Sequence, residues 1–336
     1  MSVSADLLIA IPVYNDWPAL NRLLSGLDSC LCEVGAVAEV LLVDDCSTIC
    51  RAQELRTEGY KAISSLKLLS LARNLGHQRA IAIALAHLAA EELQAGSGQR
   101  GVVVMDGDGE DRPEDVLRFL ELSRAFEEPR LLFARRRART EGLLFRLCYR
   151  AYRCLFQFLT GHSMRMGNFS LIPAALLPKV AALSELWNNY PGAVLKSKLP
   201  IEMVDCDRGF RLAGRGQMSY SALVVHGLAA MSVFGEVLGV RALMAAALLG
   251  VVDLLAIAAV VTIRLVTDWA VPGWATYAFG LTTVFLSQLL LVSLAFVFLI
   301  LQNRSLCGFV PARDYRYFVL SVRELLGGDG PLGCDA

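Results

Sequence analysis

Gly101-Val102-Val103-Val104-Met105-Asp106-Gly107-Asp108-Gly109-Glu110-Asp111 is the stretch whose reading decides the fold. A short run rich in β-branched valine and bounded by charge reads as a fully buried strand. In open α/β sheets the ligand crevice lies outside the carboxyl ends of the strands, so the acids that follow fall on that rim. Asp106 and Asp108 are two apart, and Gly107 and Gly109 let the backbone turn tightly around whatever they hold. So much negative charge calls for a counter-charge, and a hard divalent cation bridging to a ligand's phosphates supplies one. Taken alone, a D-x-D also reads as a solvated acidic turn. The surrounding chain decides between the two.

Further apolar, strand-like runs lie at residues 7–11, 40–43, 66–71 and 131–133, with helical patterns at 17–30, 77–94 and 113–126. Such alternation predicts an α/β fold with a mainly parallel, Rossmann-like sheet and helices on both faces. Pro113 suits the first turn of the helix after the acidic cluster, and Glu114 and Asp115 suit its N-terminus. Four loops then meet at one sheet edge: Pro12-Val13-Tyr14-Asn15-Asp16, Asp44-Asp45-Cys46-Ser47, Arg73-Asn74-Leu75-Gly76-His77 and the acidic cluster. Carboxylates, an aromatic ring and a metal site on one edge suit a nucleoside diphosphate.

The chain has 336 residues and a formal net charge of zero, so bulk charge gives no argument for nucleic acid. Hydrophobic residues make up 55 %, and the excess lies mostly beyond Ser219. Residues 242–263 are apolar between Arg241 and Arg264, broken only by Asp253, and residues 275–301 carry no formal charge. Each exceeds the ~20 residues a membrane-spanning helix needs. Asp253 reads as a functional candidate or as a helix–helix hydrogen-bonding residue. Arg304, Arg313, Arg316 and Arg323 follow the second span, which predicts a cytoplasmic tail and places the α/β domain on the same side. Nine scattered cysteines without a C-x-x-C pair suggest reduced thiols, and residues 7–11 are too short an apolar run for a signal peptide.

A basic, amphipathic segment at 135–165 carries Arg137, Arg139, Arg146 and Arg150 beside apolar residues such as Leu147 and Leu155. It is expected to lie in a membrane interface, with those arginines near anionic lipid headgroups or an anionic acceptor. The expected organisation is a catalytic domain at 1–218, a juxtamembrane helix at 219–238, a transmembrane hairpin at 239–303 and a tail at 304–336.

The strings IPVYND, LLVDDCST, RNLGHQRA, VVVMDGDGEDRPED, GNFSLIP and RLAGRGQMSY resemble the family 2 glycosyltransferases, which have the GT-A fold. The likeness is strongest to polyprenyl-phosphate sugar transferases of the dolichol-phosphate mannose synthase type, and it runs through nearly the whole chain. It implies an inverting hexosyl transfer from a nucleotide-diphosphate sugar to a polyprenyl phosphate at the cytoplasmic face of an inner membrane, in cell-envelope polysaccharide assembly. The cofactor it implies is Mg²⁺ or Mn²⁺. By the same resemblance, Pro12, Tyr14, Asp16 and Asp44 would hold the base and ribose. Asp106, Gly107 and Asp108 would face the diphosphate, with Glu110 as a further metal ligand. Arg135 and Arg211 would sit around the phosphates. The chain departs from the family's G-x-S-K-M pattern at Gly214-Arg215-Gly216-Gln217-Met218, where Gln217 replaces a phosphate-binding lysine.

A phosphate monoester is largely dianionic near neutral pH, since its second pKa is about 6, and it can attack without a base. A hydroxyl or amine acceptor would need one, and Asp111 is then the first candidate. The competing readings are a nucleotide-sugar binding protein without turnover and a family 2 transferase with a different lipid or glycan acceptor. Expected partners are the nucleotide sugar, the polyprenyl phosphate and membrane lipids, with self-association left open and no nucleic acid.

Overall fold

The computed structural model describes residues 5–49, 55–95, 100–136, 143–163, 166–213, 220–267, 273–305 and 308–326. Eight strands form one sheet in the order β7-β5-β6-β4-β1-β2-β3-β8. They are β1 (Leu7–Val13), β2 (Ala38–Asp44), β3 (Ile63–Leu71), β4 (Gly101–Val104), β5 (Leu131–Arg136), β6 (Ser170–Ile172), β7 (Ile201–Cys206) and β8 (Val319–Glu324). The centre, β4-β1-β2-β3, is parallel, whereas β6 runs antiparallel between β4 and β5, and β8 antiparallel to β3.

Side-chain alternation along β1 divides the core into two layers. Leu7, Ile9, Ile11 and Val13 face α1 (Trp17–Glu33) and α3 (Pro113–Ala125), whose Leu20, Leu24, Val116 and Phe119 are buried with them. Leu8 and Ala10 face α2 (His77–Ala95) on the other side. From Ala80 to Ala86 every residue of α2 is buried. A helix apolar all round must be covered on both sides. Here the second cover is α5 (Leu177–Ala181), α6 (Tyr190–Ser197) and the segment after residue 308, where α10 (Pro311–Asp314) leads into buried Tyr315. Each buried leucine or isoleucine stabilises the fold by about 1.5–3 kcal/mol.

One ion pair ties α2 to the sheet. His87, 3.5 Å away, and Lys67, 3.0 Å away, hold the Glu91 carboxyl down at about 2 from an ordinary 4.5, against the upward push of burial. The folded-state value is the lower one, so this contribution is complete above pH 4.5 and is lost as pH falls towards 2. Glu91 is 33 % exposed, so solvent screening reduces the expected cost of Glu91→Gln to about 1 kcal/mol at neutral pH. Urea unfolding across that acid range should show a sloping midpoint in the wild type and a flatter one in the variant. Equal slopes would refute the assignment.

The remaining helices are α4 (Leu143–Thr160), α7 (Tyr220–Ser232), α8 (Gly235–Val266) and α9 (Trp274–Ser305). The chain divides into two compact units. One takes the residues up to Tyr152, those from 166 to Val233 and those from Phe309 onward; the other takes Arg153–Ser163 and Phe234–Gly308. In the second unit α8 packs on α9, with Gly250 facing Leu286. Both helices are long and apolar enough to cross a membrane, at mean hydropathies of 2.5 and 2.2. Asp253, one turn from Gly250, is buried, and its Oδ2 has no partner among the described residues.

The stretch expected as a cytoplasmic tail, 304–336, supplies β8, the sheet's eighth strand. Its ladder against β3 runs from Lys67↔Glu324 to Leu71↔Val319. The first unit is therefore interrupted in sequence by the apolar hairpin rather than followed by it.

Candidate active site

The acidic cluster leaves β4 between its neighbours β1 and β6 and is shaped by close packing. A Cβ on Gly107 would meet Ile11 at 3.3 Å and the Pro12 carbonyl at 3.4 Å, so the turn lies directly against the end of β1. Gly109 has φ +85°, and a Cβ there would strike Leu212 at 2.4 Å, so only glycine fits. Asp106 N–H donates to Asp111 Oδ2 at 2.9 Å and Glu110 N–H to Asp108 Oδ1 at 3.0 Å, which closes the turn on its own carboxylates.

The segment after β7 clamps this turn from outside. Gly209 N–H donates to the Glu110 carbonyl at 2.9 Å, and Leu212 N–H to the Asp108 carbonyl at 3.0 Å. That docking sets two arginines over the acids. Arg208 pairs with Glu110 through Nε at 2.9 Å and through Nη2. Arg211 reaches Asp16 Oδ2 at 2.7 Å and Asp108 Oδ2 at 3.3 Å. One guanidinium thus joins the loop after β1 to the second aspartate of the D-x-D.

The neighbouring loops are tied to each other by side chains. Asn15, at φ +59°, accepts from Ile49 N–H at 3.0 Å, and its own N–H donates to Ser47 Oγ at 3.0 Å. Asp44 accepts from Ser47 N–H at 2.9 Å. Asp45 is buried and accepts from Leu75 N–H at 2.6 Å and Gly76 N–H at 2.8 Å, fixing the loop after β3. That loop delivers His77, whose Nε2 lies 3.0 Å from Asp106 Oδ1.

The electrostatics show a site short of positive charge. Burial pushes the Asp108 carboxyl above its usual range, helped by Asp106 and Glu110 and opposed by the Glu110 N–H and Arg211. Burial acts to lower the His77 imidazole, but Asp106, Asp111 and Asp108 outweigh it, and the net direction is up. Asp106 and Asp108 are 26 % and 17 % exposed, so both offer carboxylate oxygen at the rim. Hard oxygen donors with surplus negative charge fit Mg²⁺ or Mn²⁺. Among the described residues no three His, Cys, Asp or Glu side chains group into a ready-made cage. Such a cation would take its other ligands from substrate phosphates and water.

The sequence-predicted residues fall into three groups. Pro12, Tyr14, Asp16, Asp44, Asp106, Gly107, Asp108 and Arg211 lie in, or are bonded to, the loops at the carboxyl ends of β1, β2 and β4. Three others are held elsewhere. Glu110 is bonded to Arg208 rather than grouped with the two aspartates. Arg135 is paired at 2.5 Å with Asp205, its register partner on β7. Asp111 is buried, with its Oδ2 on the Asp106 N–H, which makes it a brace for the turn rather than a base reaching an acceptor. Of the last group, Arg137, Arg139 and Gln217 lie outside the described residues; Arg146 lies on α4, as does Arg150, which is exposed. Sequence reading passed over Arg208 and placed His77 only as the end of a strand-end loop. The signal for both was position, an arginine three before Arg211 and a histidine closing a strand-end loop.

A mixed α/β sheet with an acidic turn at a strand's carboxyl end, interrupted in sequence by two long apolar helices, has a GT-A-like architecture. The model of glycosyl transferase family 2 matches residues 8–182, and the chain belongs to that family. It is similar to the undecaprenyl-phosphate 4-deoxy-4-formamido-L-arabinose transferase of Klebsiella pneumoniae, at 26 % identity over 156 residues, 46 % of this chain and 44 % of that one. The enzyme of the same name from Pseudomonas aeruginosa is 32 % identical over 113 residues, 34 % and 31 % of the two chains. The match spans less than half the length of these relatives. Among solved structures, mannosyl-3-phosphoglycerate synthase from Rubrobacter xylanophilus aligns at 16 % identity and TM-score 0.49, covering 68 % of this chain and 72 % of that one.

Proposed function

We propose that this glycosyltransferase moves a sugar, with inversion, from a nucleoside-diphosphate sugar to a polyprenyl phosphate at a membrane surface, assisted by Mg²⁺ or Mn²⁺. The observation that carries the reading is the Asp16–Arg211–Asp108 bridge beside Asp106 on the rim that ends β4. It gathers the acids for a cation and a forked cation for phosphate at one point. The distant similarity to undecaprenyl-phosphate sugar transferases supports the choice of acceptor class.

The chain's own groups divide the work. Tyr14, Asp16 and Asp44 line the loops where base and ribose would lie, and Asp106 and Asp108 would hold the metal. When bound, the metal supplies Lewis-acid neutralisation of the departing diphosphate. Arg211 is already oriented by two carboxylates, so its approach to the diphosphate needs little reorganisation. The acceptor's phosphate oxygen forms the new bond to the anomeric carbon while the bond from that carbon to the diphosphate oxygen breaks. A dianionic acceptor has no proton to lose, so the inward-facing Asp111 leaves no gap in the reaction.

The membrane setting follows from connectivity. The chain leaves the first unit after Val233 and returns to it at Phe309, with α8 and α9 between. Two crossings of a bilayer would put the turn near Gly273 on the opposite face. Exposed Leu155, Phe158 and Arg150 on α4 suit contact with the lipid surface.

Membranes containing the protein, supplied with a panel of radiolabelled nucleotide sugars and undecaprenyl phosphate, should yield label that extracts into organic solvent and vanishes with EDTA. Label in the solvent phase that persists without metal would contradict the mechanism. Donor binding without any transfer across the panel would favour a binding protein.

A further inference from the structure

We propose that the flank of the first unit built on Trp187 and α6 is a docking surface for an anionic phospholipid bilayer, with Arg73 and Arg79 as its phosphate-binding anchors. The proposal rests on the membrane reading above and deepens it by naming the lipid chemistry and the residues that meet it. Both junctions with the apolar hairpin lie on this flank. Val233, two residues before α8 begins, packs on α6, where a Cβ on Gly192 would meet it at 3.3 Å. Phe309, four residues after α9 ends, lies against Trp187 with ring centroids 3.9 Å apart. The chain leaves and re-enters the unit against the short segment 187–192, so insertion of the hairpin in a bilayer brings this side of the unit to the headgroups.

Trp187 ends the 3₁₀ turn Ser184–Trp187 and forms one aromatic cluster with Phe309 and Phe318. A partly exposed tryptophan close to the end of a spanning helix suits the headgroup level. Two cations lie over these rings. Arg79 Cζ stands 5.1 Å from the Trp187 centroid, and Arg73 Cζ stands 6.0 Å from that of Phe318. A guanidinium held over a ring keeps N–H donors for a further partner. Among the described residues neither arginine forms an ion pair. Neighbouring acids are already engaged, Glu185 by Lys196 at 2.7 Å and Asp314 by Arg313 at 2.6 Å. Arg73 and Arg79 therefore give this flank uncompensated positive charge.

Apolar surface continues from there along α7. This helix packs on α6 and leaves Val224, Val225 and Leu228 each more than half exposed. The Tyr152 hydroxyl donates to the Gly227 carbonyl at 3.2 Å and fixes the helix from its other side. Aliphatic side chains beside unpaired arginines match the two layers of an anionic membrane surface, acyl chain and phosphate. Free phosphate would engage the arginines and leave the aliphatic face uncovered. An acidic protein would engage them too, but gives no reason for both hairpin junctions to lie here.

The test uses the full chain in neutral detergent micelles, titrated with brominated phosphatidylglycerol or brominated phosphatidylcholine while tryptophan fluorescence is read. Phosphatidylglycerol should quench at the lower concentration, and rising NaCl should narrow the difference. Arg73→Gln combined with Arg79→Gln should raise the phosphatidylglycerol midpoint about thirtyfold, from about fivefold per arginine, and leave phosphatidylcholine within about twofold. Arg73→Lys with Arg79→Lys keeps both charges and should stay within about threefold of wild type. Trp187→Phe should remove most of the quenching specific to phosphatidylglycerol, which locates the lipid even where the glutamine variant melts early. Equal midpoints for the two lipids in the wild type, or lipid-specific quenching unchanged in Trp187→Phe, overturn the proposal. Competition by inorganic phosphate or polyglutamate as strong as that by phosphatidylglycerol also overturns it, and assigns the arginines to a free anion or an acidic protein. The titration contains neither nucleotide sugar nor polyprenyl phosphate, so it can fail while sugar transfer stands. Release of the chain from membranes by alkaline carbonate would sink the membrane reading and this surface together.

Discussion

Asp108→Ala should lower sugar transfer by on the order of 10²–10³-fold while leaving the fold intact. Asp108 Oδ2 holds Arg211 at 3.3 Å, and its Oδ1 takes the Glu110 N–H at 3.0 Å. Removing the carboxylate takes away a metal donor and half of the bridge that orients Arg211. It also removes one of the charges that make this rim attract a cation. The turn itself should survive, because Leu212 still donates to the residue 108 carbonyl and Asp111 still braces Asp106. Asp106→Asn should lose transfer as well, since an amide is a poorer ligand for a hard cation than a carboxylate. Transfer rate and Mn²⁺ affinity, measured with the unfolding midpoint, check both variants. The mechanism fails if Asp108→Ala keeps its rate within about threefold, or if its loss tracks unfolding rather than metal affinity.

The parts of this fold that are legible in sequence are those where burial is complete. The β1, β2 and β4 runs are largely apolar on both faces because helices cover both sides of the sheet, so their positions are readable from hydrophobicity, although the observed β1 and β2 reach two residues or so beyond the apolar runs at 7–11 and 40–43. β6 has three residues, Ser170–Ile172, too few to show a period, although it carries the antiparallel join between β4 and β5. β8 alternates between half-buried and exposed residues, and its Leu320 and Val322 are exposed, so nothing marks it as part of a core. The site divides in the same way. Asp106 and Asp108 announce themselves by sitting at a strand's end. Asp45 does not, because its function is to accept two backbone N–H groups thirty positions later. The Arg211 bridge spans 195 positions and depends on a fit between Gly109 and Leu212 that no local pattern encodes.

Truncation after residue 308 should unfold the first unit, even though every D-x-D and loop residue remains. β8 would be lost from β3, exposing the ladder between Lys67 and Leu71 together with the bonds from Leu325 N–H to the Leu66 carbonyl and from Ala72 N–H to the Phe318 carbonyl. Trp187 would lose Phe309, tilted against it at 3.9 Å between ring centroids, and Phe318 at 5.0 Å, and α2 would lose buried Tyr315. Arg73, over the Phe318 ring, belongs to the loop that delivers His77 to Asp106. Burial of such aromatic and aliphatic groups is worth about 1.5–3 kcal/mol each, so losing three or four approaches the about 5–15 kcal/mol that stabilises a whole domain. A chain ending at residue 326 keeps all of these contacts and should melt like the wild type, whereas one ending at 308 should show no cooperative transition and rapid amide exchange throughout β3 and α2. Cooperative melting of the shorter chain within a few degrees of wild type would refute the dependence. The requirement also bears on topology. If α8 and α9, each long and apolar enough to cross, both span a bilayer, a chain that must come back to complete its own sheet can cross it only an even number of times between Val233 and Phe309, and the two helices would meet that requirement.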